Sequence, residues 1–152
     1  MAVREILRFG DELLRQHSEE VENFDEELWQ LLDDMYDTMV DADGIGLAAP
    51  QVGVLKRVVV IDIDGEPIEL VNPVITTMRG KQYEAEGCLS LPGKSGIVRR
   101  PARVKVRAYN RYGKLREYKG SELLARAFCH EIDHLNGILF ADKVEEWVEE
   151  ED

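Results

Sequence analysis

The segment "FCHEIDHLNG", from Phe128 to Gly137, contains two histidines and a glutamate in the pattern HExxH. Residues four positions apart on a helix lie one above the other, so His130 and His134 could bind the same metal ion. Glu131 lies about 100° further round the helix and could reach a water molecule at that ion. A catalytic metal site needs three protein ligands, so a third ligand must be found. On this motif alone, two unrelated histidines at the same spacing are the alternative.

Three kinds of residue could supply the third ligand. His17 lies in the polar segment "RQHSEE", which favours a solvated surface residue. Asp142 and the glutamates that follow it lie downstream of the motif, where many HExxH peptidases place a third ligand. Cys88, in "EGCLSLPG", is the remaining candidate, because a thiolate and two imidazoles leave one tetrahedral position for water. The residues alone do not decide between Cys88 and the downstream acids as the third ligand.

Length and composition indicate a soluble globular protein. The 152 residues suit one domain, predicted here as 1–152, and the chain is 44% hydrophobic and 33% charged. No apolar run approaches the ~20 residues that span a bilayer, and charges interrupt the N-terminus where a signal peptide would be apolar. Its two cysteines, Cys88 and Cys129, are predicted to be thiols rather than a disulfide pair. These features predict a cytoplasmic protein without a membrane partner.

The charge of the chain argues against a nucleic acid partner. The formal net charge is −12, whereas phosphate binding needs clustered Lys and Arg. The basic residues between Lys94 and Arg116 alternate with apolar residues at a strand period. A solvated strand face is therefore predicted there instead of a binding patch.

Apolar spacing predicts helices at both ends of the chain and strands between them. Apolar residues recur every three or four positions over residues 25–41, and Asp25 suits the N-cap of that helix. A short helix is predicted over 11–16, and the metal motif lies on a predicted helix over 120–136 that ends before Gly137. Period-two runs predict strands at 57–63, 68–75, 81–91, 103–110 and 115–119.

Three segments together are similar to the three motifs of the peptide deformylase family. They are "GIGLAAPQ" at Gly44 to Gln51, "EGCLS" at Glu86 to Ser90 and "HEIDH" at His130 to His134, in the family's order and spacing. The similarity extends through the preceding helix and through "LVNPVI" and "LNGILF", so it covers nearly the whole chain. The resemblance implies an α+β fold with mixed or antiparallel strands around a central helix carrying HExxH. It also implies a long N-terminal helix and a short C-terminal helix.

The resemblance implies an enzyme that removes the formyl group from the N-terminal formylmethionine of new proteins and releases formate. Its metal ligands would be Cys88, His130 and His134. The ion would be Fe(II), with Zn(II), Ni(II) or Co(II) possible, although the ligand types alone would indicate zinc. In this interpretation Glu131 accepts a proton from the attacking water and passes it to the leaving amine.

Further residues take roles by resemblance. The Gln51 side-chain amide and the Leu89 backbone N–H would donate hydrogen bonds to the oxyanion, although the local sequence alone favours Gln51 as a residue that fixes a loop. Ile45 would line the methionine pocket, and Gly46 would let the backbone approach the substrate. The predicted substrate-binding residues are Gly44, Ile45, Gly46, Glu86, Gly87, Leu123, Arg126 and Ala127.

Arg126 and Glu86 carry charge close to the predicted pocket. The resemblance implies an apolar neighbourhood at Arg126, so its stem should follow the pocket wall while its head reaches solvent or a carboxylate at the rim. A surface position for the whole side chain is the alternative. A metal-bound histidine usually donates its second N–H to a carboxylate, for which Asp133 and Glu86 are candidates, and the resemblance favours Glu86 paired with Arg100.

Two other function classes are weighed against a deformylase. An HExxH metallopeptidase cleaving amide bonds of small peptides should use a Glu or His as third ligand, and a noncatalytic metal domain should have a fourth protein ligand.

The predicted partners are N-formylmethionyl nascent peptides, with transient ribosome contact possible and a monomer expected. Val144, Trp147 and Val148 predict a terminal helix, and the six acids from Glu145 to Asp152 should be repelled by RNA.

Overall fold

The computed structural model describes residues 2–148, which form two α-helices and eight strands. Helix α1 spans Glu26–Asp41 and begins where the Asp25 side chain accepts a hydrogen bond from the Leu28 N–H. This N-cap satisfies one of the free amides at the start of the helix. The predicted helix over 25–41 and its cap are therefore confirmed. A 3₁₀ turn at Glu12–Arg15 stands where the short early helix was predicted.

Eight strands form two antiparallel sheets. The larger sheet has the order β1-β2-β3-β6-β7, and the smaller has the order β4-β5-β8. All pairings between these strands are antiparallel. The strands are β1 Gly46–Ala48, β2 Val58–Ile63, β3 Glu66–Arg79, β4 Gln82–Cys88, β5 Leu91–Arg100, β6 Arg103–Tyr109, β7 Leu115–Ser121 and β8 Val144–Val148.

Helix α2, Leu123–Leu135, lies between the sheets and carries the HExxH motif. Alternate side chains of a strand point to opposite faces, so Val59 and Ile61 of β2 pack in the α2 core, whereas Val58 and Val60 pack in the α1 core. Phe128 of α2 is fully buried in this core, and burying such a side chain is worth about 1.5–3 kcal/mol. This packing fixes the position of α2, and with it the position of the motif. The α+β class with strands around a central helix is confirmed.

The predicted short C-terminal helix is wrong for the residues that the structure describes. Val144–Val148 forms β8, which pairs with β5 so that Trp147 lies opposite Gly96. The open edge of β5 has unpaired backbone groups that residues 144–148 pair with as a strand, and Gly96 leaves room for Val144. The remaining tail acids, Glu149 to Asp152, lie outside the described residues.

Strand β8 also contacts the metal motif indirectly. The Trp147 ring packs against Phe140 at 5.9 Å between ring centroids, and Phe140 packs against the His130 ring at 5.8 Å.

None of the described helices is both long and apolar enough to cross a membrane.

Candidate metal centre

Three side chains from two elements converge beside α2. The candidate ligand atoms of Cys88, His130 and His134 all lie within 4.8 Å of one another, and Cys88 Sγ is 3.3 Å from His134 Nε2. The helix brings the two imidazoles together through their spacing of four residues. Cys88 ends β4, where the pairing with β5 shifts register after Gly87. Such a shift re-aims a side chain, and here the thiol faces the histidines.

The structure separates the other candidate ligands from this cluster. His17 is exposed on the surface, and Asp142 is hydrogen-bonded to the guanidinium of Arg15 at 3.0 Å. Among residues 2–148, no other group of His, Cys, Asp and Glu ligand atoms is close enough together to hold a metal ion. A thiolate with two imidazoles suits zinc or ferrous iron. The donor set therefore fits a single divalent metal ion.

Glu131 is a buried carboxylate next to the cluster. Its side chain is about 7% exposed, and Oε2 lies 4.0 Å from His130 Nε2. Its second oxygen, Oε1, has no hydrogen-bond partner among the described residues. Burial raises the pKa of Glu131 to about 7, which suits a group that both accepts and donates a proton. The unsatisfied oxygen fits an additional donor, such as a water molecule, at the metal centre.

Glu86 is hydrogen-bonded to the far side of the His130 ring. Its Oε1 is 2.5 Å from His130 Nδ1, and Arg100 binds both of its oxygens at 2.7 and 2.9 Å. Burial alone would raise the pKa of Glu86, but the hydrogen bonds from Arg100 and His130 outweigh burial and lower it to about 2. An ionised Glu86 accepts the Nδ1 proton, so Nε2 of His130 is the atom left for a metal. Asp133 accepts from Arg100 at 2.7 Å.

Gln51 is fully buried behind the thiol. Its Oε1 accepts from the Ala48 N–H at 3.0 Å, while Nε2 contacts Ser90 Oγ at 3.1 Å and Cys88 Sγ at 3.5 Å. The Gln51 carbonyl therefore fixes its own loop, and the amide nitrogen lies beside the Cys88 thiol. Leu89 follows Cys88, so its backbone N–H lies beside the candidate ligand.

A cleft of about 450 Å³ opens onto the metal centre. Cys88, Leu89, His130 and Glu131 lie along it, but Gln51 does not line it. All of the predicted substrate-binding residues line it: Gly44, Ile45, Gly46, Glu86, Gly87, Leu123, Arg126 and Ala127. A larger groove of about 700 Å³ lies beside His17 and the start of α1, and none of Cys88, His130 and His134 lines it. The cleft of about 450 Å³ beside the metal centre is therefore the candidate substrate site.

Comparison with known proteins supports the same assignment. The family model of polypeptide deformylase matches residues 3–150. The chain belongs to the polypeptide deformylase family. It is 60% identical over 144 residues to a peptide deformylase of Alkaliphilus metalliredigens, an alignment that covers 95% of this chain and 98% of that protein. It is 57% identical to a peptide deformylase of Acetivibrio thermocellus, over 100% of this chain and 89% of that protein.

Solved deformylase structures share the fold. A peptide deformylase from Legionella pneumophila aligns with a TM-score of 0.92 and 50% identity, covering 94% of this chain and 86% of that chain. One from Synechococcus elongatus in complex with actinonin aligns with a TM-score of 0.92 and 44% identity, covering 94% of this chain and 79% of that chain. The predicted family is confirmed, and with it a hydrolase that removes the formyl group from nascent peptides. The family is metal-dependent.

The pocket-wall interpretation of Arg126 is correct about a carboxylate partner but wrong about a position at the rim, and the surface interpretation is wrong. Arg126 is only 4% exposed, so it is not a surface residue. Its stem lines the cleft, but its head turns inward and binds Glu86 Oε2 at 2.6 Å and Gln82 Oε1 at 3.1 Å. A buried guanidinium without a partner would be very costly, and Glu86 supplies the charge that balances it. Arg126 therefore presents no free positive charge at the cleft rim.

Sequence reasoning missed Gln82, which holds Arg126 in place. Gln82 donates to the carbonyls of Pro101 and Glu122 at 2.9 Å while its own oxygen accepts from Arg126. A signal was present in the sequence: Gln82 and Glu86 lie four positions apart in the period-two segment "KQYEAEGC". Residues at even spacing on a strand share a face, so both could have been assigned to the side that faces α2.

Proposed function

We propose that Cys88, His130 and His134 hold one divalent metal ion and that Glu131 carries the proton in deformylation of N-terminal formylmethionine. The observation that carries this proposal is the convergence of three ligand atoms within 4.8 Å beside a buried carboxylate. When bound, the ion acts as a Lewis acid toward the formyl carbonyl and lowers the pKa of a water molecule. Metal analysis combined with formate release from formyl-Met peptides tests the proposal.

Glu131 performs both proton transfers in this proposal. Its carboxylate accepts a proton from the water that attacks the formyl carbon, and it then gives that proton to the amine nitrogen of the departing methionine. Gln51 and Leu89 stabilise the carbonyl oxygen as it gains negative charge, through the side-chain Nε2–H and the backbone N–H. The Ala48 N–H fixes the orientation of the Gln51 amide, so no energy is spent turning the donor during the reaction.

The cleft walls provide the binding site for the methionine side chain. Ile45 and Leu123 are 43% and 48% exposed, although each is apolar and lines the cleft. A substrate side chain placed between them and Ala127 would cover apolar surface that water now contacts. We propose that these residues select methionine, while Glu86 acts through His130 and not by contact with substrate.

Gly46 should be required for the position of Glu131. A Cβ atom at residue 46 would lie 2.7 Å from Glu131 Oε2, whereas one at Gly87 would meet only the Lys94 carbonyl at 3.4 Å. Gly46→Ala should therefore displace the carboxylate and lower kcat by up to about 10²-fold, the cost of a 1 Å misplacement. Gly87→Ala adds a methyl group in the same cleft where it has more room, so its kcat should fall less. Similar kcat values for formate release in both variants would contradict the packing of Glu131 against Gly46.

We propose Fe(II) as the ion in the cell, with Zn(II), Ni(II) and Co(II) able to replace it. A ferrous ion with a thiolate ligand is open to oxidation by air or peroxide. The iron-loaded protein should lose activity in air, and the nickel- or cobalt-loaded protein should keep it. Formate release is measured after timed exposure of each form to air. Equal loss in every metal form would point to a cause other than oxidation of iron.

We propose that the protein acts as a cytoplasmic monomer on formylmethionyl nascent peptides. Any ribosome contact would then be transient. The described part of the tail supports a structural role, because β8 pairs with β5 and Trp147 packs on Phe140. Its acids would be repelled by ribosomal RNA, so the tail should contribute little attraction.

A further inference from the structure

The carboxylate of Glu86 has a second guanidinium partner besides Arg100. Oε1 accepts from His130 Nδ1 at 2.5 Å and from an Arg100 terminal nitrogen at 2.7 Å. Oε2 accepts from Arg100 Nε at 2.9 Å and from Arg126 at 2.6 Å. Arg100 alone already binds both oxygens, so the contact from Arg126 is not needed for a simple ion pair. Its effect is to hold the carboxylate from a second direction.

Arg126 is itself held by groups from outside its helix. Gln82 on β4 contacts both Arg126 Nε and a terminal nitrogen, at 3.3 and 3.1 Å, through a single oxygen. The amide of Gln82 is fixed by the carbonyls of Pro101 and Glu122. A continuous set of hydrogen bonds thus runs from the backbone before α2, through Gln82 and Arg126, to Glu86 and the His130 ring. Every side chain in it is less than a tenth exposed.

We propose that Arg126 is a positioning residue for the metal centre, acting through Glu86 on His130. This inference rests on the proposed metal ligands. With Oε2 held by two arginines, Oε1 stays aligned with Nδ1, so the His130 ring is fixed with Nε2 toward Cys88 and His134. Outer partners of this kind typically change metal affinity by 10–100-fold when they are removed. Arg126 also lines the substrate cleft, so one residue forms part of both the pocket wall and the support of a ligand.

Arg126→Leu should weaken metal binding although it changes no ligand. We expect its dissociation constant for Zn(II), measured by competition with a chromophoric chelator, to rise about 10- to 100-fold. The visible spectrum of the Co(II) form should also change, because that spectrum reports ligand geometry. Arg126→Lys keeps a positive charge and one donor for Glu86, so its dissociation constant should lie between those of Arg126→Leu and the unchanged protein.

Arg111→Leu is the matched control, because Arg111 likewise forms ion pairs, with Glu69 and Asp33, but contacts neither Glu86 nor His130. It should lower the thermal stability of the metal-free protein without changing Zn(II) affinity. Gln82→Leu provides a second test if Arg126→Leu folds poorly: it releases Arg126 and should weaken Zn(II) binding in the same direction.

Several results would overturn the positioning role. One is an unchanged Zn(II) dissociation constant in folded Arg126→Leu or Gln82→Leu protein. Another is equal weakening in Arg126→Leu and Arg111→Leu, since that would reflect general destabilisation. A third is Arg126→Lys binding as weakly as Arg126→Leu. Failure of the unchanged protein to bind one equivalent of Zn(II) would instead remove the proposed metal centre itself.

Discussion

Replacing Glu131 by glutamine is expected to lower kcat for formate release by about 10²- to 10⁴-fold, the usual contribution of a general acid–base group. Glutamine has the same shape but cannot accept a proton from water or return it to the amine. The three ligand side chains are untouched, so the variant should still bind one metal ion. Activity on a formyl-Met peptide and metal content by elemental analysis are measured on the same sample.

Glu117→Gln is a suitable control for the loss of one negative charge, since Glu117 is exposed on β7 and does not line the cleft. It should be fully active. Full activity of metal-loaded Glu131→Gln would remove Glu131 from the mechanism. Loss of metal together with activity would instead assign Glu131 a role in maintaining the metal centre.

Cys88→Ala is expected to lose the metal and therefore nearly all activity. Removal of the thiolate leaves two imidazoles, fewer than the three protein ligands of a catalytic site. Metal content after dialysis against a weak chelator should fall far below one equivalent. The apolar core does not include Cys88, so the variant should still fold.

Cys129→Ala is the matched control, because it removes the other thiol from the position next to His130. Burial raises the pKa of Cys129 to about 11, which keeps it a neutral thiol, and the structure does not place it in the ligand cluster. This variant should keep its metal. A full equivalent of metal in Cys88→Ala would return the downstream acids to consideration as third ligand.

The sequence predicted the elements that rest on local signals. Helix α1 has both an apolar stripe and an Asp25 cap, and its bounds were correct to within one residue. The HExxH spacing placed both histidines and Glu131 on α2. The third ligand could not be predicted from local spacing, because Cys88 reaches the histidines only through the pairing of β4 with β5. The resemblance to the deformylase family identified Cys88 instead.

The errors came from contacts between distant segments. Residues 144–148 have the spacing of an amphipathic helix, but the open edge of β5 selects a strand. Arg126 was expected at the rim because a lone buried guanidinium is costly. Its partners, Gln82 and Glu86, lie 44 and 40 residues away in the chain. Local sequence does not report such pairing, so the buried charge network appeared only in the structure.

The most direct test of the account compares two amide bonds in one experiment. The protein is prepared anaerobically in two forms, one loaded with iron and one stripped of metal by a chelator. Each form is given a formyl-Met peptide and, separately, the same peptide without the formyl group. We predict formate release in proportion to bound iron, none from the metal-free protein, and no cleavage of internal amide bonds. Cleavage of the unformylated peptide, or formate release that does not depend on metal, would contradict a metal-dependent deformylase.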